Sequence, residues 1–163
     1  MRPIPKEVYD HVAELACGMT NATFAEDAAL HRSLHGQLRA FYRAHARQGD
    51  LHPFVVESLA DYTTDRQEAL RLYREALALS EPDEPRYTIL ISMAERLIEV
   101  GRREQAEASL REARAEAEDR NDDYYVSEAD RVLRDLTAEP GTAPNGGPAA
   151  RLIGRQSRRG RHR

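Results

Sequence analysis

Short amphipathic segments, each ended by a glycine, a proline or a polar turn, follow one another along the first 138 residues. Within each segment the apolar residues recur every three or four positions, which is the spacing of one face of an α-helix. The breaks recur roughly every 10–20 residues, which argues against one long coiled coil. The sequence therefore predicts an all-α chain of about seven short helices that pack as antiparallel neighbours.

The breaks between apolar runs give approximate helix boundaries of 5–18, 23–48, 53–62, 65–80, 86–100, 102–119 and 124–136. Gly18, Gly49 and Gly101 are expected to end helices, because glycine readily adopts the left-handed conformation found after many helix C-termini. Thr23-Phe-Ala-Glu26 has the pattern of a capping box and is expected to open the second helix. Gly36 falls inside that helix, where it predicts a kink or a close packing contact.

Composition indicates which residues can form the core and in which compartment the protein is expected. Aromatic residues make up only 6% of the 163 residues, so the core depends mainly on Leu, Ala, Ile, Val and Tyr, as in thin helical layers. The single cysteine, Cys17, excludes an intramolecular disulfide and Cys-rich zinc sites, and its place in the apolar periodicity predicts a buried thiol. The N-terminus lacks the pattern of a signal peptide, and no apolar run is long enough for a membrane span. We expect a cytoplasmic, bacterial protein that has no membrane partner.

Charge divides the sequence into an acidic body and a basic end. The net charge is −4, yet residues 151–163 contain no acidic residue, so the body is strongly acidic. Residues 139–150 are rich in Pro and Gly and lack helical periodicity, which is typical of a flexible linker. The predicted organisation is a helical domain over 1–138, a linker over 139–150 and a disordered Arg-rich tail over 151–163. The arginines of the tail are Arg151, Arg155, Arg158, Arg159, Arg161 and Arg163.

Two stretches share an arrangement of small and large residues. The pattern of Ala, a large residue and Ala at spacings of four and three occupies Ala69–Ala76 and, 37 residues later, Ala106–Ala113. Leu90–Gly101, which precedes the second stretch, has large residues around the pair Met93-Ala94 and ends in a turn glycine. This arrangement resembles the tetratricopeptide repeat, whose usual period is about 34 residues. The segment Glu81–Arg86 accounts for the difference as a longer loop between repeats.

The resemblance implies antiparallel helical hairpins stacked as a short α-solenoid. It is good over residues 86–114 and fair over residues 52–82, while residues 4–48 have the form of a related hairpin without the motif. In the earlier repeat, Pro53 and Glu57 depart from the large and small residues of the family pattern. The final helix resembles the first helix of a further repeat and would act as the solvating cap that stacked repeats need.

The same resemblance implies a binding surface. Repeats of this family bind peptides or protein segments in a groove lined by the first helix of each hairpin, the A helix. By position, the groove residues are Leu51, Phe54, Ser58, Asp61, Tyr62, Thr88, Ile91, Glu95, Ile98 and Glu99. None is basic or Asn, so the family's clamp for a C-terminal carboxylate is not implied. Apolar residues among acids favour a partly apolar segment of basic character. The alternative for the apolar positions is a place in the core between helices.

No motif of a known catalytic site is present, such as a phosphate-binding loop, a dinucleotide-binding glycine motif or a nucleophile elbow. His31 and His35 lie four residues apart, one turn after Asp27, which is a spacing of metal ligands, but a third ligand is lacking. The sequence predicts no metal, no cofactor and no enzymatic activity.

The predicted function is that of a protein-interaction module, namely a small adaptor, a chaperone or an inhibitor of the immunity type. The expected partner is a protein or peptide with basic character. The alternative is a nucleic-acid-associated factor that uses the Arg-rich tail, because arginines that neutralise phosphates release counterions.

Overall fold

The computed structural model describes residues 3–138, and the regular structure in this range is entirely helical. The helices are α1 (Lys6–Phe24), α2 (Ala28–Gln48), α3 (Pro53–Tyr62), α4 (Arg66–Leu79), α5 (Tyr87–Glu99), α6 (Arg103–Asp119) and α7 (Asp123–Thr137). The all-α fold of about seven helices predicted from the sequence is confirmed. In this range no helix combines the length and the apolar character that crossing a membrane requires. The predicted linker and Arg-rich tail, residues 139–163, lie outside the described residues.

The helices form two compact units. In the first unit, which covers residues 4–51, α1 packs against α2 as a hairpin. In the second unit, from residue 52 onward, each helix from α3 to α7 packs against the next, and α5 also contacts α7. The second unit therefore consists of the hairpins α3–α4 and α5–α6, followed by the single helix α7.

The turn at Gly101 has the geometry that its sequence predicts. Gly101 has a φ of +76°, and its N–H donates a 3.0 Å hydrogen bond to the carbonyl oxygen of Ile98. The N–H of Arg102 donates a 2.8 Å bond to the carbonyl oxygen of Leu97. Together these bonds form a Schellman motif, which satisfies carbonyl groups in the last turn of a helix. The chain reverses within this turn, so that α6 begins at Arg103.

Gly18 does not end α1, contrary to the sequence prediction. It lies inside the helix, where an added Cβ would come within 2.8 Å of Cδ1 of Leu34 on α2. The missing side chain allows α1 and α2 to approach each other closely, and only the position of the partner helix reveals this role. Gly36 makes no such close contact, because no neighbouring atom lies within 4 Å of the point where an added Cβ would lie. Helix α2 continues through Gly36 as one helix.

The capping box predicted at Thr23–Glu26 does not form. The hydroxyl of Thr23 donates a 2.9 Å hydrogen bond to the carbonyl oxygen of Met19 within α1, and Glu26 has a left-handed φ of +55°. Asp27 is the N-cap of α2 instead, since its carboxylate accepts a 2.9 Å bond from the N–H of Leu30. Because α1 continues past the predicted stop, the capping-box residues close that helix instead of opening the next one.

The prediction of a buried thiol at Cys17 is also wrong, because Cys17 is exposed. The buried stripe of α1 runs along the neighbouring positions Val12, Leu15, Ala16 and Met19. Successive residues of a helix differ in direction by about 100°. Ala16 belongs to the buried stripe, so the next residue, Cys17, points away from it.

The loop between α4 and α5 is fastened to the turn between α6 and α7. Arg120 donates a 3.0 Å hydrogen bond to the carbonyl oxygen of Asp83 and a 3.3 Å bond to that of Glu84. The hydroxyl of Tyr87 donates a 2.9 Å bond to the carboxylate of Asp122. These contacts hold the longer loop between the two hairpins against the following repeat.

Candidate functional site

The ten residues predicted to line a groove fall into two groups in the structure. Asp61, Glu95, Ile98 and Glu99 are half-buried or exposed. The other six, each at most 8% exposed, are Leu51, Phe54, Ser58, Tyr62, Thr88 and Ile91. In this conformation a ligand can contact only the first group, while the six buried residues contribute to the interior.

Helix α5 illustrates why the sequence did not separate these groups. Every residue from 87 to 94 is buried, and the helix packs against α4, α6 and α7. Ile91 is completely buried, whereas Ile98, two turns later and on the same side of the helix, is half-buried. Accessible positions on α5 begin at Glu95, so only the C-terminal part of this A helix can offer a surface.

Arg131 of α7 joins α5 and α7 at this surface. Its guanidinium lies 2.7 Å from Glu128 and 3.0 Å from Asp135 on the same helix, and 3.6 Å from Glu95 on α5. The hydrogen bond with Glu128 is the largest cause of the raised pKa of Arg131. Glu95 is therefore paired inside the fold, and a basic ligand would have to share it with Arg131.

Glu99 has a similar role between α4 and α5. Its carboxylate lies 3.1 Å from the guanidinium of Arg66 on α4 and 3.1 Å from that of Arg96 on α5. Arg96 also donates a 3.1 Å hydrogen bond to the backbone carbonyl oxygen of Asp61 at the end of α3. The side chain of Asp61 accepts a 2.7 Å bond from the hydroxyl of Tyr73 on α4. These contacts tie α3, α4 and α5 together where their accessible residues meet.

We define the A-helix surface as the accessible residues of α5 and α7 that these contacts bring together, with Asp61 at its edge. Its members are Asp61, Glu95, Ile98, Glu99, Glu128, Arg131 and Asp135. They include five carboxylates, four of which pair with the guanidiniums of Arg66, Arg96 and Arg131. The surface thus combines one half-buried aliphatic side chain, Ile98, with an excess of negative charge.

Sequence reasoning missed the arginines and the tyrosine that organise this surface. A signal for Arg131 was present, because Glu128 and Asp135 lie three residues before it and four residues after it, which is the spacing of ion pairs on a helix. Arg96 carries the same kind of signal, because its partner Glu99 lies three residues after it. No local signal marks Tyr73, since its partner Asp61 lies on a different helix.

The histidines considered as metal ligands do not form part of a larger cluster. Within residues 3–138, no group of three or more His, Cys, Asp or Glu side chains is arranged to hold a metal ion. Burial is the largest cause of the lowered pKa of His35, and the positive charges of Arg39 and His31 lower it further. The six tail arginines, Arg151 to Arg163, lie outside the described residues.

Comparison with known proteins gave one match. A family model described as a tetratrico peptide repeat matches residues 52–141. No curated protein and no solved structure matches the chain. The matched range begins at His52, where the second compact unit also begins.

Proposed function

The chain belongs to the tetratricopeptide repeat family, and on this premise we propose that its second unit is a non-enzymatic module that binds a protein or peptide through the A-helix surface. Repeats of this family generally mediate interactions between proteins. An adaptor, a chaperone or an inhibitor of the immunity type would each act in this way, by occupying a segment of a partner. We place this activity in the cytoplasm.

The observation that carries the proposal is that Ile98 is accessible at the same end of α5 as two carboxylates. Glu95 and Glu99 lie three residues before Ile98 and one residue after it, so all three belong to the accessible end of α5. Removing apolar area from water contributes about 25 cal/mol per Å², so a partner gains most by covering the aliphatic side chain. A segment with one large apolar residue and flanking basic residues fits this arrangement.

Charge has a smaller part in the affinity. Glu95 and Glu99 already have arginine partners, and exposed ion pairs contribute only about 0–1 kcal/mol each. The excess of carboxylates instead favours basic over acidic partners and speeds their approach. We therefore expect apolar contact at Ile98 to determine affinity, and the carboxylates to determine selectivity for basic partners.

The proposal can be tested with a library of short displayed peptides selected on the full chain. Selected peptides should contain Arg or Lys together with a large apolar residue. The Ile98→Ser variant should bind them about tenfold more weakly, which corresponds to about 1.4 kcal/mol. Leu79→Ser on α4 is the matched control, because Leu79 is also a half-buried aliphatic residue near the end of a helix but lies on a B helix, the second of its hairpin.

Two results would contradict the proposal. One is an equal loss of affinity in Ile98→Ser and Leu79→Ser, measured on variants with the helix content and melting temperature of the parent chain. The other is selection of predominantly acidic peptides, since these would be repelled by the carboxylates of the A-helix surface.

A further inference from the structure

Helix α2 differs in charge from every other helix of the described chain. Its 21 residues include four arginines and three histidines but no Asp or Glu. Each of the other six helices contains at least two acidic residues, and residues 52–138 contain 21 acids against 12 arginines. The positive charge of α2 is therefore a local feature within an acidic protein.

The arginines of α2 form a stripe along one side of the helix. Arg32, Arg39 and Arg43 fall within about 40° of one another around the helix axis, and Arg47 lies beside them. The stripe is about 22 Å long at a rise of 1.5 Å per residue. Arg32, Arg43 and Arg47 are exposed, and Arg39 is half-buried. The other exposed residues within about 100° of Arg32 around the axis are small, namely Ala28, Ala29, Ser33, Gly36, Ala40 and Ala46.

These four guanidiniums make no ion pair and no hydrogen bond with other residues of the described range. The arginines at the A-helix surface behave differently, since Arg66, Arg96 and Arg131 each pair with carboxylates. Because α2 contributes no acid and no neighbouring carboxylate neutralises the stripe, its charge is available to an anionic partner.

We propose that the arginine stripe of α2 binds duplex DNA, with the helix in the major groove and the guanidiniums on phosphates. An α-helix with its side chains is about 10–12 Å wide, and the major groove of B-DNA is about 12 Å wide. The small residues between the arginines keep this side of α2 narrow. Double-stranded RNA is a poorer fit, because its A-form major groove is deep and narrow.

Gly36 supports the same assignment. Glycine inside a helix costs about 0.5–1 kcal/mol relative to alanine, and here no packing contact explains it. It lies within about 40° of Arg32 around the helix axis, in the middle of the stripe. On this side the missing side chain allows another molecule to approach the helix backbone closely.

Two other anionic partners fit the stripe less well. A membrane would favour apolar side chains beside the arginines, but Leu30, the exposed large apolar residue of α2, lies about 160° away from Arg32. An acidic protein would be expected to bury a large anchor residue at the centre of its interface, and the stripe offers none.

The test uses fluorescence anisotropy of a labelled random-sequence DNA duplex with the full chain, over a series of salt concentrations. In Arg32→Gln/Arg43→Gln/Arg47→Gln the affinity should fall, and the slope of log K against log salt should become shallower by about 3, near one unit per lost phosphate contact. The matched control is Arg74→Gln/Arg102→Gln/Arg134→Gln, which removes the same charge from exposed arginines of the second unit. It should leave the affinity and the slope nearly unchanged.

Two further experiments complete the test. A variant of the tail shows whether the stripe or the tail binds DNA, and lipid vesicles show whether the partner is DNA or a membrane surface. A full-length variant in which the six tail arginines are changed to Gln should retain the effect of the α2 substitutions. The proposal is overturned if the parent chain does not bind duplex DNA at low salt, or if the control triple loses as much affinity as the α2 triple. It is also overturned if only the tail variant loses binding, or if phosphatidylserine vesicles are bound and DNA is not.

Discussion

The hydroxyl of Tyr73 on α4 donates a 2.7 Å hydrogen bond to the carboxylate of Asp61, in the last turn of α3. Tyr73 is 2% exposed and Asp61 is half-buried, so the donor of this bond is shielded from water and the acceptor is partly accessible. The backbone carbonyl oxygen of the same Asp61 accepts a bond from Arg96 on α5. One residue at the end of α3 thus connects the first hairpin of the second unit with the second hairpin.

We predict that Tyr73→Phe lowers the free energy of unfolding by about 1–3 kcal/mol, because the carboxylate of Asp61 loses a buried donor. Urea denaturation of the full chain measures this change. In a double-mutant cycle with Asp61→Ala, the two substitutions should be coupled, since each removes the same hydrogen bond. Additive effects would show that the bond contributes nothing to stability.

Two buried tyrosines predict a loss of stability at alkaline pH. Burial, and then the charge of Asp61, holds the pKa of Tyr73 well above its usual value, while burial and the hydrogen bond to Asp122 raise that of Tyr87. In the unfolded chain both groups ionise near pH 10. The stabilisation they provide is present below about pH 10 and decreases as the pH rises further, because only the unfolded chain then releases these protons.

An absorbance titration checks this pH dependence. Tyrosinate formation in the parent chain should include a late phase that coincides with unfolding followed by circular dichroism. The late phase should be absent in Tyr73→Phe/Tyr87→Phe at pH values where that variant is still folded. A late phase of unchanged amplitude in the variant would assign it to other tyrosines.

Substitution of Gly101 should lower the stability of the protein, whereas substitution of Gly36 should raise it. Gly101→Val places a β-branched residue at a φ of +76°, which should cost about 1–2 kcal/mol of stability. Gly36→Ala adds a methyl group into open space and should stabilise α2 by about 0.5–1 kcal/mol. Urea or thermal unfolding measures both. Destabilisation by Gly36→Ala that equals the effect of Gly101→Val would contradict the roles assigned to the two positions.

Local signals in the sequence account for most of the helices. Gly101 was predictable as a turn residue because its role depends on its own left-handed φ angle. Gly18 was misread because its role depends on Leu34, a residue on another helix that fills the space its side chain would occupy. Features that depend on a partner helix were not predictable, and the one-turn pattern at Thr23–Glu26 also failed, because α1 continues past Gly18 and these residues close it.

The candidate site shows the same limit. Family position identified the A helices, but α5 is apolar on nearly every side, so the sequence did not reveal that Ile91 is covered and Ile98 is accessible. The sequence also presented Glu95 and Glu99 as free acids. The pairing of Glu95 with Arg131 and of Glu99 with Arg66 follows from the stacking of the helices, which brings together residues 33 or more positions apart in the chain.

The most direct test of the proposed function is to map the binding surface by nuclear magnetic resonance. The isotope-labelled full chain is titrated with a synthetic peptide of arginines and leucines, and a peptide with the same leucines and glutamates serves as control. The proposed function predicts that the largest changes in backbone amide signals occur at residues 95–99 of α5 and 128–135 of α7, and only with the basic peptide. Changes centred on the outer sides of α4 and α6, or equal changes with the acidic peptide, would contradict it.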